Sequence, residues 1–263
     1  VKMLLANEAV EVDAKDAYNR TALMRAVWHC QLAATKLLIQ GGSNTNYWKP
    51  ISTVSKCAST VLFDMFDRRA SLAGLDQQPC MEKQEAEAKV SQDRLGKLLH
   101  LLVNESGASL SIPEMNECDQ QNILVQVIQK GSFDAVPLLL DLKADPNMPG
   151  MTGYRETRPP LGALAYQFFD VGKVKKDAFF HVAELLLNHN ATVDAKYGEE
   201  QWTLLIQAAF ECQPEVVKFI LENHADLAIK DGEGWTAADA AEEGCHGHPD
   251  KKTEILKLLN ATD

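Results

Sequence analysis

At 263 residues, 46% apolar and 24% charged, the chain is long enough to bury a substantial core, as one large domain or two smaller ones. A formal net charge of −11 argues against nucleic acid or an anionic membrane as the main partner, since both demand clustered Lys and Arg. No apolar run approaches the roughly 18 residues that span a bilayer, no signal-peptide pattern opens the chain, and six scattered cysteines (30, 57, 80, 118, 212 and 245) read as reduced thiols of a cytoplasmic protein.

Followed from its first residue, the chain repeats itself. VKMLLANEAVEVD (1–13) ends a helix and turns at Asp13. Thr21 with ALMRA behind it opens a short apolar helix, and TKLLIQGGSNTN closes a second one with paired aliphatics and a small-residue turn. The two-part unit returns as Thr53-VSKCA with GKLLHLLVNESGASLS, Asn122-ILVQV with VPLLLDLKADPN, Pro159-PLGAL with AELLLNHNATVD, and Thr203-LLIQA with VKFILENHADLA. Thr236-AADAA opens one more. Turn ends fall at Asp13, Asn46, Ser111, Asn147, Asp194 and Ala228, at intervals of 33, 65, 36, 47 and 34 residues. One helix pair cannot bury its own apolar face, so such units stack into a continuous core. The Thr ahead of a first helix is placed to cap free N–H groups, and Gly or Asn near the turn tolerates a positive φ.

Two stretches interrupt the pattern. Residues 67–93 (DRRASLAGLDQQPCMEKQEAEAKVSQD) form an insertion in which Glu82–Lys89 reads as a solvated helix and the rest as loop. Farther on come a Pro/Gly-rich approach, PNMPGMTGYRETRPP (146–160), and a long inter-helix segment, DVGKVKKDAFF (170–180). The chain opens inside a repeat without an initiator methionine, which reads as a fragment or a trimmed N-terminus.

This register is similar to that of the ankyrin-repeat family, whose unit is a hairpin turn, a helix opening with T-P-L-H-x-A and an antiparallel outer helix ending in L-L-x-x-G-A-x-x-N. The resemblance covers essentially the whole chain and is strongest in 13–46 and 194–231. It implies an all-α fold, an ankyrin-repeat solenoid of helix-turn-helix units joined by β-hairpin-like loops. A single domain is expected over 1–263, with repeats at 1–13 (partial), 14–46, 47–111 carrying the insertion, 112–147, 148–194, 195–228 and 229–263. The function implied is non-enzymatic: a monomeric module, with no cofactor, that binds a protein or peptide through a concave groove and hairpin tips.

In the family's register the inner helix ends with two variable residues facing the groove, followed by a position usually Gly. Trp28 and His29 take the variable positions and Cys30 the Gly position; Gln129-Lys130 before Gly131 and Phe210-Glu211 before Cys212 repeat the arrangement. Trp202 and Trp235 each precede the Thr of a repeat, and Trp48 lies in the hairpin ahead of Thr53, where family members contact partners. The resemblance thus implies a contact surface that begins with Tyr18, Arg20, Trp28, His29, Lys49, Gln129 and Lys130. It continues through Arg155, Arg158 and Tyr166, and ends with Glu199, Glu200, Trp202, Phe210, Glu211, Glu233 and Trp235. Basic members come early and most acidic members late, a polarity that sets the direction of a bound peptide. The alternative for Trp202 and Trp235 is packing of hairpin against hairpin.

From Lys196 to the C-terminus 14 Asp and Glu stand against 6 Lys, a net of −8, so this end is expected either to be a plain solvated surface or to face a basic partner segment. GCHGHPD (244–250) gathers Cys245, His246 and His248, but lacks the fourth ligand and paired spacing of a structural zinc site, and no metal is expected. LLDLKADPN (139–147) resembles the site at which ankyrin proteins of animal cells are hydroxylated on a hairpin Asn; turn geometry is the preferred reason for Asn147. No H-E-x-x-H, G-x-S-x-G or Walker pattern is present, and WHC lacks the third group and oxyanion hole of a Cys/His nucleophile. Two rival readings stand beside the interaction module. One is the recruiting portion of a larger enzyme, or of a bacterial effector acting in host cytoplasm. The other is small-anion binding by Trp28, Arg20 and Lys49.

Overall fold

The structure, a computed structural model, describes residues 1–7, 9–17, 20–29, 31–46, 49–50, 58–59, 85–112, 121–152 and 156–260. They divide into two compact units, Val1–Ala144 and Asp145–Asp263.

The first unit contains helices α1 (Lys2–Leu5), α2 (Ala22–Trp28), α3 (Leu32–Gln40), α4 (Glu85–His100), α5 (Ile123–Gln129) and α6 (Ala135–Asp141). A π-helical turn, Leu101–Glu105, extends α4. Two short antiparallel hairpins accompany them: β1 (Lys49–Pro50) with β2 (Ala58–Ser59), and β3 (Ser111–Ile112) with β4 (Gln121–Asn122), the latter pairing Ser111 with Asn122. Helix α2 packs on α3, α3 on α4, α4 on α6, and α5 on α6. The shared core is aliphatic, with Leu23, Leu98, Leu99, Leu102, Ile123, Leu124 and Leu139 shut off from solvent. Thr53 and residues 60–84 lie outside the described residues. Of the helix expected at Glu82–Lys89, residues 82–84 lie outside the described residues and 85–89 are helical, as part of α4, which takes in 90–93, expected as loop, and runs on through the second helix of its repeat.

The second unit opens with the hairpin β5 (Gly150–Met151) and β6 (Thr157–Arg158), in which Gly150 pairs with Arg158. Helices α7 (Pro160–Phe169), α8 (Lys176–Asn188), α9 (Leu204–Phe210), α10 (Pro214–Glu222), α11 (Ala237–Gly244) and α12 (Pro249–Asn260) follow. They form the pairs α7/α8, α9/α10 and α11/α12; α9 also packs against α7 and α11, and α10 against α12. Phe179 is fully buried against Phe168 at 4.6 Å between ring centroids, and Phe180 reaches Phe219 of the next pair at 5.2 Å.

Capping follows the sequence. The hydroxyls of Thr21 and Thr203 accept from the backbone N–H groups of Met24 and Ile206, and the Asn122 side chain accepts from Leu124. Each satisfies a donor that a helix start leaves open. Thr236 and Asp239 form a reciprocal capping box. Proline does the same work differently at α7, where Pro160 occupies the first turn and has no N–H to satisfy.

The turn ends form a ladder. Asp13 accepts from the Asn44 N–H at 3.0 Å, and Asp194 from the Asp226 N–H at 3.1 Å. Asn46 donates to the Gly107 carbonyl at 2.9 Å and accepts from the Ser109 N–H at 2.7 Å. Asn147 donates to the Asn190 carbonyl at 2.8 Å and accepts from the Thr192 N–H at 2.7 Å. Each of these side chains ties its own turn to that of the next repeat. The turns pass through the left-handed region at Gly42, Gly107, Lys143, Asn190 and His224.

Candidate partner-binding surface

In the first unit the surface is built around the end of α2. Trp28 is half-buried, stacks on His29 at 5.1 Å, and has the guanidinium groups of Arg20 and Arg25 at 5.9 and 5.8 Å from its ring. Arg20 is ion-paired with Asp16 at 2.7 Å, and its backbone N–H also donates to that carboxylate. A guanidinium already matched in this way weakens the small-anion reading. His29 and Arg25 line an apolar-walled cavity of about 510 Å³ with Leu5, Val10, Ala26 and Leu38. Gln129 and Lys130 sit half-buried at the end of α5, ahead of Gly131 at φ 69°. Tyr18, Cys30, Trp48 and Arg155 lie outside the described residues, and Lys49 begins β1.

In the second unit two groups of residues are assembled. Arg158, expected on the contact surface, is only 8% exposed: its guanidinium pairs with Glu156 at 2.7 Å and lies 5.0 and 5.2 Å from the rings of Tyr166 and Tyr197. Desolvating the cation is compensated by that carboxylate and two aromatic faces. Tyr197, absent from the expected surface, is the centre of this group. Its ring occupies the space over Gly162, where an added Cβ would come within 2.6 Å of it. Its hydroxyl donates to Gln207 at 2.8 Å, and Gln207 donates in turn to the Asp170 carboxylate at 3.0 Å. Burial pushes the Tyr197 phenol pKa far up, so the hydroxyl keeps the proton it donates.

The second group is aromatic and acidic. Trp202 and Phe210, both half-buried, lie 5.1 Å apart, and Glu211 follows directly. Burial raises the Glu211 carboxyl above its ordinary range, and the negative charge of Asp170 adds to the effect. Trp202 also donates from Nε1 to Asp231 at 3.2 Å, while the Gly232 N–H donates to the Glu200 carbonyl at 2.8 Å. The indole therefore joins successive hairpins with one edge and flanks Phe210 with its ring. Asp231 receives the backbone N–H groups of Glu233 and Trp235, fixing the tip that carries Trp235. Glu199 and Glu200 are exposed on the preceding tip. Asp170, Gln207 and Asp231 were missed because a single sequence does not show which polar side chains two repeats bring together.

The expectation of six free thiols does not hold for two of them. Cys212 and Cys245 are joined in a disulfide, so Cys245 offers no thiolate to a metal, and His246 and His248 are exposed. Among the described residues no helix is long and apolar enough to cross a membrane.

The comparisons agree with this architecture. The ankyrin repeat family model matches residues 200–232, which include Trp202, Phe210, Glu211 and Asp231 of the second group. The ankyrin repeat and SAM domain-containing protein 6 of Mus musculus is 25% identical over 147 residues, covering 56% of this chain and 15% of the relative. Its Rattus norvegicus counterpart is 26% identical over 148 residues, again 56% and 15%. The match thus spans about 15% of the length of these curated relatives. Among solved structures, the ankyrin repeat domain of human ASB11 aligns over 98% of this chain and 90% of its own, with TM-score 0.55 and 19% identity. The ankyrin repeat domain of Bcl-3 covers the same shares at TM-score 0.63 and 17% identity. A chain of the complex between the predatory endopeptidase Bd0816 of Bdellovibrio bacteriovorus and its immunity protein Bd3460 aligns over 93% of this chain and 99% of its own, at TM-score 0.53 and 18% identity. With stacked helix pairs, bridged hairpin turns and a matched repeat at 200–232, this chain is an ankyrin-repeat protein.

Proposed function

We propose that the chain recognises a protein partner by a Lys- or Arg-containing segment, received by Trp202, Phe210 and Glu211. Ankyrin repeats are protein–protein interaction modules, and the fold is generally non-enzymatic. The observation that carries the finer reading is the Trp202–Phe210 ring pair beside Glu211, whose carboxyl is raised by burial and by Asp170. A cationic side chain against the rings gains cation–π attraction, and it also relieves the Asp170–Glu211 repulsion. The exposed carboxylates of Glu199 and Glu200 extend the same sign of charge along the hairpin tip. Burying a Trp or Phe at such a centre commonly supplies ~2 kcal/mol or more of binding.

The test is affinity capture from lysate, comparing the wild type with a Phe210→Ala/Glu211→Gln variant whose helicity by circular dichroism is unchanged. A partner held through a basic segment is expected to be recovered by the wild type and lost at least about tenfold in the variant. Equal recovery by both would move the interface away from α9, and the Trp28–His29 surface would be the next to substitute.

A further inference from the structure

We propose that Cys212 and Cys245 are a reversible thiol–disulfide pair that staples α11–α12 to α9–α10. The two residues are 33 positions apart, one repeat length, and hold equivalent places at the end of the first helix of each pair. Stacking brings equivalent places together, and here their Cα atoms are 5.3 Å apart, within the span a disulfide bridges. The close approach depends on Gly244, where an added Cβ would come within 2.0 Å of the Phe210 carbonyl oxygen. Any side chain at 244 would push the two helix ends apart and separate the sulfurs. Cys212 has φ 56°, a left-handed conformation that favours glycine, and the corresponding place after α5 is held by Gly131 at φ 69°. A cysteine there costs backbone free energy that glycine would not, and its sulfur bonds across the repeat boundary. Cys212 and Cys245 are only 4% and 1% exposed, so exchange with a small molecule takes place when α11–α12 opens locally from α9–α10.

The exchange partner is a low-molecular-weight disulfide of the glutathione type. One protein thiolate attacks a sulfur of the small disulfide, forming a mixed disulfide and releasing one small thiol. The second protein thiolate attacks the protein-side sulfur of that bond and releases the other. Two electrons pass from the cysteine pair to the small disulfide, and the two thiol protons leave on the released thiols. The reverse sequence frees the staple.

The full-length chain, its Cys212→Gly variant (which restores the residue the backbone favours) and its Cys245→Ala variant are equilibrated with mixtures of glutathione and glutathione disulfide. Acid quenching, alkylation and peptide mass spectrometry then report the thiols, while amide hydrogen exchange reports α11 and α12. On oxidation Cys212 and Cys245 are expected to lose alkylation together and to yield one cross-linked peptide. Exchange in α11 and α12 of the wild type is expected to slow at least about tenfold, with no redox response in either variant. Each protein is compared with its own reduced form, so a weakened variant does not mimic the result. The proposal is overturned if either cysteine pairs elsewhere or ends only as a glutathione adduct. A cross-link that leaves exchange unchanged overturns it too, as does a redox response that persists in Cys245→Ala.

Discussion

Asn147 shows how much one amide side chain carries in this fold. It uses both ends of the amide, donating to the Asn190 carbonyl and accepting from the Thr192 N–H of the following turn. These bonds give its place at the end of LLDLKADPN a structural reason. Asn147→Ala leaves two backbone groups without that partner and is expected to cost about 1–2 kcal/mol, read as a lower urea midpoint. Asn147→Asp keeps the acceptor for Thr192 and loses only the donor, so its midpoint should lie between the two. An Asp midpoint at or below that of Ala would mean that charge at the turn outweighs the retained bond. Legibility in the sequence was partial here. The turn-end positions were visible as a register, but the bonds of Asn147 to the next turn depend on residues 43 and 45 positions away.

At the scale of the element, the start of α11 is the clearest unit. Hydrogen bonds from the Thr236 backbone N–H and hydroxyl hold the Asp239 carboxyl below its ordinary range. The folded state therefore binds this proton less tightly than the unfolded chain does. The stabilisation is complete above the unfolded carboxylate pKa of about 4 and is lost as pH falls through the lower folded value. Asp239→Ala is expected to reduce stability by at most ~1 kcal/mol near pH 7, solvent screening of the exposed carboxylate holding it down, and the gap from wild type should be smaller at about pH 3, as followed by urea denaturation at both pH values. A gap of the same size at both would show that the carboxylate charge is not its source. Glu211 runs the other way: its raised pKa means that ionisation opposes the folded state, a cost that a bound cation would remove. Not every helix was readable at this level. The continuity of α4 from Glu85 into the segment that closes the repeat depends on packing against α3 and α6, and the local pattern did not reveal it.

For the whole molecule, the governing quantity is charge. The net charge is −11, of which −8 falls after residue 195. Exposed carboxylates speed the approach of a basic partner through a field that salt screens within ~10 Å at about 0.1 M ionic strength. The association rate constant of the captured partner is therefore expected to fall about tenfold between roughly 0.05 and 0.5 M salt, with dissociation changing far less. Surface plasmon resonance across that range measures both constants. A flat association rate would take long-range charge out of the recognition and leave the aromatic pair as its basis.

The sequence by itself determined the repeat and the caps, because these depend on residues within one helix pair, with Thr21, Thr203 and Thr236 ahead of first helices, and it marked the turn-end positions Asp13, Asn46, Asn147 and Asp194 by their register. It also placed Trp202, Phe210 and Glu211 in register. Only the tertiary structure decided what crosses from one repeat to the next. It turned Arg158 inward between Tyr166 and Tyr197, linked Tyr197 through Gln207 to Asp170, set Trp202 on Asp231, and brought Cys212 to Cys245. The physical reason is that such contacts join residues 8 to 39 positions apart, and their distances are set by the stacking of helix pairs.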